Sequence, residues 1–365
     1  MGEPQSTIAL SSGMDSVVEA LRTYQSIELF AGAGGMALGM ERAGFSHLLL
    51  NDFDRYAAQT LRLNRPDWHV VHGDVAEIDF TPYHGKVDLL TGGFPCQAFS
   101  YAGKKRGMED TRGTLFYEFA RALQESEPSV FLAENVRGLV SHDKGRTLQT
   151  MVEVFESMGY EVLPPRVLKA ICYRVPQKRE RLFIVGIKKP YASQGNFQWP
   201  KESSKRYTLK DALKRGELYP TDVPPSEGQR YPEKKREILA LVPPGGYWRD
   251  LPEALQRAYM MKSYYLGGGK TGIARRIAWD EACLTLTCAP AQKQTERCHP
   301  EETRPFQVRE YARIQTFPDT WEFAGSMTQQ YKQIGNAVPV NLAYALGLSL
   351  VDILNQIEQV KREKV

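Results

Sequence analysis

The sequence has few cysteines and no long apolar run. Its five cysteines are odd in number and lack C-x-x-C spacing, so we expect reduced thiols rather than disulfides. Cys283, Cys288, Cys298 and His299 lie close together but match no recognised zinc spacing, and no metal site is predicted. No apolar run approaches the roughly 18 residues of a membrane helix, and residues 1–24 do not look like a secretory signal. These absences predict a cytoplasmic protein.

Positive charge is concentrated in one part of the chain. The whole sequence has a formal net charge of +4, but residues 166–276 hold 24 Lys and Arg against 10 Asp and Glu. Tyrosine, tryptophan and glycine-rich stretches lie between these basic residues. A run such as Lys234-Lys235-Arg236 is often only a solvated surface, but basic residues interleaved with aromatic ones suit a nucleic-acid backbone. We therefore predict a nucleic-acid partner for this region.

A glycine-rich turn follows the first predicted strand. Residues 26–30 read as a buried strand, and Ala31-Gly32-Ala33-Gly34-Gly35 separates it from a helical pattern. Backbone N–H groups at such a turn can hold polar groups of a nucleotide-type ligand, although many turns carry glycine for packing alone. The G-x-G-x-x-G spacing of dinucleotide-binding proteins is absent, which favours a nucleoside without pyrophosphate.

Acidic residues follow the next two predicted strands. Residues 47–50 lead into Asn51-Asp52-Phe53-Asp54, which places a carboxylate about 20 residues after the glycines, where it suits a ribose diol. Residues 69–71 lead into Asp74, which could accept a hydrogen bond from an adenine amino group. Each of these acids could instead cap a helix or a turn. Because successive strands end in polar residues, we favour a ligand-binding edge of the sheet.

Two further predicted strands end in residues suited to chemistry. Residues 87–91 lead into Gly92-Gly93-Phe94-Pro95-Cys96-Gln97, a loop that presents a thiol, whereas a lone cysteine is more often simply buried. Residues 129–133 lead into Glu134, a natural general acid at the same edge as Cys96. Near a further strand at residues 181–187, alternation places Gln177, Arg179 and Arg181 on one face.

Composition divides the chain into parts. The sequence is 42% hydrophobic and 25% charged, which is ordinary globular composition with room for one large domain and a smaller one. Proline, glycine, aromatic and basic residues dominate between residue 188 and about residue 303, with little periodicity. We predict an N-terminal extension (1–24), a catalytic and cofactor-binding domain (25–187), a loop-rich second domain (188–305) and a return segment (306–365). The last, strongly apolar helix, from Val340 to about Ile357, is expected to pack on the first domain.

Several short motifs occur in a fixed order along the chain. They are Phe30-Ala31-Gly32-Ala33-Gly34-Gly35, Pro95-Cys96-Gln97, Glu134-Asn135-Val136, Gln177-Lys178-Arg179-Glu180-Arg181, Arg309-Glu310-Tyr311-Ala312-Arg313-Ile314-Gln315 and Gly335-Asn336-Ala337-Val338-Pro339. Together they resemble the ordered motifs of DNA (cytosine-5)-methyltransferases, particularly those of bacterial restriction–modification systems. The resemblance covers roughly residues 27–347, with an unmatched block where that family has its target-recognition domain.

The resemblance implies a fold, a reaction and a set of residues. The fold is α/β and Rossmann-like, typical of S-adenosylmethionine-dependent methyltransferases, with a mostly parallel sheet, helices on both faces and a smaller loop-rich, β-containing target-recognition domain. The reaction transfers a methyl group from S-adenosylmethionine to C5 of a flipped-out cytosine, leaving S-adenosylhomocysteine. Cys96 would add to C6, Glu134 would act at ring N3, and Arg179 and Arg181 would orient the base and Glu134.

The resemblance also implies contacts to cofactor and DNA. Members of the family often have glutamate and tryptophan where Asp52 and Phe53 stand, so charge and aromatic character are kept. The residues implied at the cofactor are Phe30, Gly32, Gly34, Gly35, Asp52, Phe53, Asp74, Val75, Pro95 and Asn336. Thr285 and Leu286 resemble the short recognition-domain motif of the family, although they can also be read as part of a plain β-strand. Gln97, Ser100, Lys104 and Arg106 lie in the cysteine loop and in the glycine- and charge-rich stretch after it, which we expect to bind the DNA backbone as a candidate lid.

Other functions remain open at this level. We first expect a monomer that acts on double-stranded DNA. A restriction endonuclease that acts on the same site would be its cognate partner, without necessarily touching it. An RNA cytosine-5 methyltransferase of the same fold is the nearest alternative, and the basic block argues mildly for DNA. A catalytically silent DNA-binding module is disfavoured by intact Cys96, Glu134, Arg179 and Arg181. A nicotinamide-dependent oxidoreductase is suggested only by the strand–glycine–helix start.

Overall fold

Parallel strands connected by helices form the centre of the chain. The computed structural model describes residues 23–95, 114–193, 195–266 and 271–363. The strands are β1 (Tyr24–Leu29), β2 (Phe45–Asp52), β3 (Val70–His72), β4 (Leu89–Gly92), β5 (Val130–Val136), β6 (Tyr160–Val162), β7 (Arg166–Lys169), β8 (Gln177–Lys178), β9 (Glu180–Lys188) and β10 (Cys283–Leu284). The helices are α1 (Gly35–Ala43), α2 (Arg55–Asn64), α3 (Leu115–Ser126), α4 (Arg146–Ser157), α5 (Lys189–Ala192), α6 (Leu209–Leu213), α7 (Glu233–Ala240), α8 (Glu253–Met260), α9 (Val308–Ile314), α10 (Met327–Asn336) and α11 (Val340–Glu363).

The main sheet has the order β3-β2-β1-β4-β5-β9-β6, and β7 also pairs with β9. The five strands from β3 to β5 in this order run parallel, whereas β9 is antiparallel to β5, β6 and β7. The order reverses at β1, which has β2 on one side and β4 on the other. In open α/β sheets the ligand site lies beyond the carboxyl ends of the strands at such a reversal. The predicted α/β fold with a mostly parallel sheet is confirmed.

Helices cover both faces of this sheet. Successive side chains of a strand point to opposite faces, and Leu89 and Val130 join the apolar cluster that contains α11. Their neighbours Leu90 and Phe131 join the cluster that contains α3 and α4. The central strands are therefore buried on both sides, which is why they appear in the sequence as continuous apolar runs.

The C-terminal helix packs closely on the first helix of the fold. Small residues line this contact: Gly39 faces Ala343, and a side chain at Gly347 would lie 2.6 Å from the Cβ of Ala43. By length and composition the stretch Met327–Glu363 is apolar enough to cross a membrane, but most of its apolar window is buried inside the protein. A buried core helix passes the same test, so this stretch is weak evidence for a membrane span.

The stretch between β9 and α9 contains little regular structure. Within its described residues β10 is the only strand longer than a single bridge, and it pairs in parallel with β8. A small apolar cluster forms around Trp248, Leu239 and Tyr259. Arg276, Glu296 and Arg297 are also buried there. Buried charged side chains thus contribute to the interior of this stretch.

Candidate active site

Asp52 lies at the carboxyl end of β2, beside the glycine-rich turn. One carboxylate oxygen accepts a hydrogen bond from the backbone N–H of Gly32 at 2.7 Å, and the other accepts one from the N–H of Asp54 at 2.7 Å. Burial raises the pKa of Asp52, and these hydrogen bonds act in the opposite direction. Each oxygen keeps a lone pair, so the carboxylate can still accept a ligand hydroxyl.

An aromatic residue follows each of the strands β1 and β2 at this edge of the sheet. Phe30 follows β1 and has a positive φ of 59°, a backbone conformation that residues other than glycine rarely adopt. The ring of Phe53 is 76% exposed and is free to stack on a flat ligand. Gly32 also has a positive φ, and no described residue lies within 4 Å of the position that a Cβ would take.

The other predicted cofactor residues have structural roles that the sequence left open. A side chain at Gly34 would meet Leu61 and Trp321, and one at Gly35 would meet the carbonyl of Val338. These two glycines therefore permit close packing, whereas Gly32 borders open space. We predicted the same role for Gly32, Gly34 and Gly35 because local spacing does not reveal which distant residues pack on each of them.

Asp74 and Asp54 both cap short elements. Asp54 accepts from the N–H of Tyr56 at 2.9 Å at the start of α2 and pairs with Lys332 at 2.7 Å. Asp74 accepts from the N–H of Ala76 at 3.0 Å, and Val75 beside it is buried. The capping interpretation that the sequence allowed is therefore correct for these two acids. Asp74 still lies at the carboxyl end of β3, next to the edge that holds Asp52.

Glu134 lies in β5, beside the chain that leads to Cys96. Its Oε1 is 2.9 Å from Nε of Arg181. A Cβ built on Gly93 would lie 2.7 Å from its Oε2, so the carboxylate is close to that backbone. Burial raises the pKa of Glu134, against the lowering effect of the Arg181 and Arg179 charges. A carboxyl group with a raised pKa is suited to hold a proton near neutral pH.

The backbone before Cys96 is held in place by the neighbour of Glu134. Asn135 donates from its side-chain amide to the carbonyl of Phe94 at 2.9 Å. Pro95 is exposed at the end of the described segment. The predicted residues Cys96, Gln97, Ser100, Lys104 and Arg106 lie outside the described residues.

Arg179 takes a different position from Arg181, although alternation placed both on one face. Its side chain is 1% exposed, and it donates to the carbonyls of Leu286 at 3.1 Å and of Gly335 at 2.9 Å. A longer bond of 3.3 Å reaches the carbonyl of Asn336. Arg181 contacts Glu134 directly, whereas Arg179 acts on it only through its charge.

The two predicted DNA residues of the second domain follow β10. The hydroxyl of Thr285 donates to the carbonyl of Lys178 at 2.7 Å, and Leu286 is buried. The side chain of Leu286 therefore packs inside the protein and supports the segment, rather than facing the surface. Asn336 is exposed, and its Oδ1 accepts from the thiol of Cys288 at 3.0 Å.

A cavity of about 590 Å³ opens beside Arg181 and Thr285. Its charged lining is mostly basic, a feature that sequence reasoning missed because the contributing residues come from separate elements. The charged lining residues are Arg137, Lys169, Lys178, Arg179, Glu180 and Arg181. Such a lining attracts an anionic chain, and the volume accommodates a nucleotide-sized group.

The remaining thiols and acids form no metal site in the described part of the chain. No group of three His, Cys, Asp or Glu residues is placed there to hold a metal ion. Cys172, Cys283, Cys288 and Cys298 are all free thiols.

The chain is similar in sequence to a family of DNA methylases and to several type II methyltransferases. A family model described as C-5 cytosine-specific DNA methylase matches residues 24–352. The type II methyltransferase M.Eco47II of Escherichia coli is 66% identical over 336 residues, which cover 92% of this chain and 81% of that protein. The type II methyltransferase M.Sau96I of Staphylococcus aureus is 53% identical over 346 residues, covering 93% and 79%.

Solved structures support the same fold. The chain is similar to a protein described as a DNA modification methyltransferase encoded within an E. coli prophage, with a TM-score of 0.69, 23% identity and coverage of 91% and 99%. It is also similar to the Dnmt2 methyltransferase of S. pombe, with a TM-score of 0.58, 17% identity and the same coverage. At these identities the likeness concerns the fold alone.

Proposed function

The chain belongs to the C-5 cytosine-specific DNA methylase family, and on this premise we propose how its residues methylate cytosine C5 in DNA. Cys96 is the nucleophile, Glu134 is the general acid, and Arg181 holds Glu134 in place. The observation that carries this assignment is the position of Glu134, paired with Arg181 and close to the Gly93 backbone. Cys96 follows Gly93 by three residues in the sequence.

Cytosine C5 needs activation before it can accept a methyl group. The Cys96 thiolate forms a bond to C6, and the π electrons of the C5–C6 double bond shift through C4, which places negative charge on N3. Proton donation from Glu134 to N3 removes the negative charge that this addition creates. C5 then takes the methyl group, and its proton leaves to a base. The sulfur–C6 bond breaks and N3 returns its proton to Glu134, which restores the aromatic ring and the starting state of the enzyme. The raised pKa of Glu134 supports its role as the acid.

S-adenosylmethionine, when bound, supplies the methyl group. The residues at the carboxyl ends of β1 and β2 fit this cofactor, because Asp52 can accept from ribose hydroxyls and Phe53 offers an exposed ring for the adenine. The open space at Gly32 leaves room beside them. We assign Phe30 to the adenine as well, Asp74 to its amino group and Asn336 to the methionine end. Gly34, Gly35, Val75 and Pro95 shape the surrounding backbone.

The second domain and the basic cavity provide for the DNA. An atom inside a duplex is out of reach of Cys96, so the target cytosine must leave the base stack, at a cost of a few kcal/mol. Phosphate contacts from Arg137, Lys169 and Lys178 would offset this cost and position the duplex. Gln97, Ser100, Lys104, Arg106 and Thr285 are assigned to the same partner, and Leu286 supports Thr285.

The named relatives are type II methyltransferases. We assign this chain to the same biological setting, in which a methyltransferase protects host DNA from a restriction endonuclease of the same specificity. The two enzymes need not touch. The protein would act in the cytoplasm as a monomer.

The test is incubation of the protein with genomic DNA and labelled S-adenosylmethionine, followed by sequencing that distinguishes 5-methylcytosine. Methylation confined to one short sequence is the expected result. A parallel incubation contains tRNA, and label that enters tRNA and not DNA would overturn the DNA assignment. Sequence-specific DNA binding without any methylcytosine would leave only a binding module.

A further inference from the structure

A buried polar chain joins two segments that the proposed function assigns to different ligands. We name residues 285–288 the recognition segment and residues 334–337 the cofactor turn. Gln177 is fully buried between them, and its Oε1 accepts from the backbone N–H of Leu286 at 3.0 Å. Its Nε2 donates to Oε1 of Gln315 at 2.9 Å. Gln315, also fully buried, donates to the carbonyls of Ile334 at 2.7 Å and Ala337 at 3.2 Å.

Arg179 makes a second connection between the same two segments. It donates to the carbonyl of Leu286 on one side and to the carbonyls of Gly335 and Asn336 on the other. Both backbone polar groups of Leu286 are thus satisfied by side chains of β8 and of the residue directly after it. These three hydrogen bonds restrain the guanidinium, and its buried Nε has no hydrogen-bond partner among the described residues. Its geometry suits a structural link.

The two segments also touch directly. A Cβ at Gly335 would lie 2.5 Å from the carbonyl oxygen of Thr287 and 2.8 Å from the backbone nitrogen of Cys288. The thiol of Cys288 donates to the side chain of Asn336 at 3.0 Å. Close packing of this kind leaves no space for one segment to move while the other stays in place.

We propose that Gln177 and Arg179 are positioning residues that fix the recognition segment to the cofactor turn, so that this protein binds cofactor and DNA with a shared free energy. The inference rests on the proposed function, which assigns Asn336 to the cofactor and Thr285 to DNA. A ligand that orders one segment orders the other through the buried links, and the second ligand then binds more tightly. By linkage the effect is reciprocal.

The experiment measures the DNA dissociation constant with and without saturating S-adenosylhomocysteine. The probe is a duplex that contains the short sequence methylated by the protein. The ratio of the two dissociation constants is the coupling factor. For the wild-type protein we expect a factor of about ten or more. Gln177→Leu and Arg179→Lys are expected to lower it to within about twofold of one. Each variant should keep its affinity for S-adenosylhomocysteine alone within about threefold.

Matched controls come from buried residues of the same types that do not contact the recognition segment. Gln333 is buried and bonds to Thr60 and Ala324, so Gln333→Leu removes a comparable pair of hydrogen bonds. Arg313 is fully buried and bonds to Asp319 and Thr221, so Arg313→Lys is the matched arginine change. Both control variants should retain the coupling factor of the wild type even where they lower the melting temperature.

Several results would overturn the inference. One is a wild-type coupling factor of one, and another is an unchanged factor in folded Gln177→Leu and Arg179→Lys. If either of these variants does not fold, Gln177→Glu carries the test, because it keeps the acceptor for Leu286 and loses the donor to Gln315. A wild-type protein that binds neither DNA nor S-adenosylhomocysteine would remove the proposed function together with this inference, and it is readily distinguished from a coupling factor of one.

Discussion

The main sheet and the loop-rich stretch from residue 189 to residue 305 stabilise their backbones by different means. In β5 the residues Val130 to Ala133 are at most 1% exposed, and the strand pairs along its length with β4 and β9. In the described part of the loop-rich stretch only β10 offers a strand ladder. Backbone carbonyls there must find other donors.

Buried arginine supplies many of those donors. The guanidinium of Arg276 is almost fully buried and donates to the carbonyls of Val242 at 2.7 Å, Leu239 at 2.8 Å and His299 at 2.9 Å. One planar group with five N–H donors can hold several turns of chain that share no secondary structure. At the sheet edge, by contrast, the ladder between β5 and β9 fixes the backbones from which Glu134 and Arg181 extend.

The largest expected effect is that of Cys96→Ala, a substitution in the segment that follows β4 of the main sheet. It should abolish methylation, with a loss on the order of 10⁴-fold or more, because no other group supplies the nucleophile. Binding of S-adenosylhomocysteine and of DNA should remain, since both depend on other residues. Label transfer and calorimetric binding measure the two effects, and loss of S-adenosylhomocysteine binding would contradict the role given to Cys96.

Glu134→Gln is expected to lower kcat by about 10³-fold, because the amide cannot give a proton to N3. Burial raises the pKa of Glu134. The acid must be protonated to act, so the wild-type kcat should fall as pH rises through that raised pKa. The pH profile of the Glu134→Gln variant should not show this fall in kcat.

The control for Glu134→Gln is Glu180→Gln. Glu180 lies at the start of β9 and pairs with the exposed Arg137 at 2.6 Å. Glu180 and Arg137 also line the basic cavity, so kcat is compared at saturating DNA, where loss of this ion pair should change it less than about twofold. A Glu134→Gln variant with wild-type kcat would show that ring protonation comes from elsewhere.

In the loop-rich stretch the corresponding change is Arg276→Met. The variant keeps the volume of the side chain but leaves several buried carbonyls without a donor, so the free energy of unfolding should fall by about 3 kcal/mol. Urea denaturation measures the change. Arg236→Met removes an exposed arginine that pairs only within α7, with Glu233, and should cost less than about 0.5 kcal/mol. Equal effects of the two substitutions would remove the contrast between the regions.

The sequence predicted the sheet well because apolar runs are local signals. The strands expected at residues 47–50, 129–133 and 181–187 are confirmed as parts of β2, β5 and β9, with boundaries that differ by a few residues. Asp52 and Glu134 could be placed at one edge because they follow such runs. These predictions required no knowledge of distant contacts.

Contacts between distant residues explain what the sequence did not reveal. The link from Gln177 to Gln315 spans 138 positions and leaves no local pattern. Alternation grouped Arg179 with Arg181, but only the fold shows that Arg179 is directed to Leu286 and Gly335. The polar interior around Arg276 and Glu296 was missed for the same reason, since periodicity reports apolar faces and not buried hydrogen bonds.

The smallest predicted effect tests whether Asp52 binds the cofactor or only orders the glycine turn. Asp52→Asn should weaken S-adenosylhomocysteine binding by about tenfold, because an amide oxygen is a poorer acceptor for ribose hydroxyls than a carboxylate. Burial raises the pKa of Asp52, so wild-type affinity should decline as pH falls through that raised value, and the variant should not show this decline. Titration calorimetry across the pH range measures both effects. Asp54→Asn is the matched control: it weakens the cap of α2 and the pair with Lys332, which should lower stability by roughly 1 kcal/mol and leave the affinity nearly unchanged. If the two variants lose affinity equally, Asp52 acts through the turn rather than on the ligand.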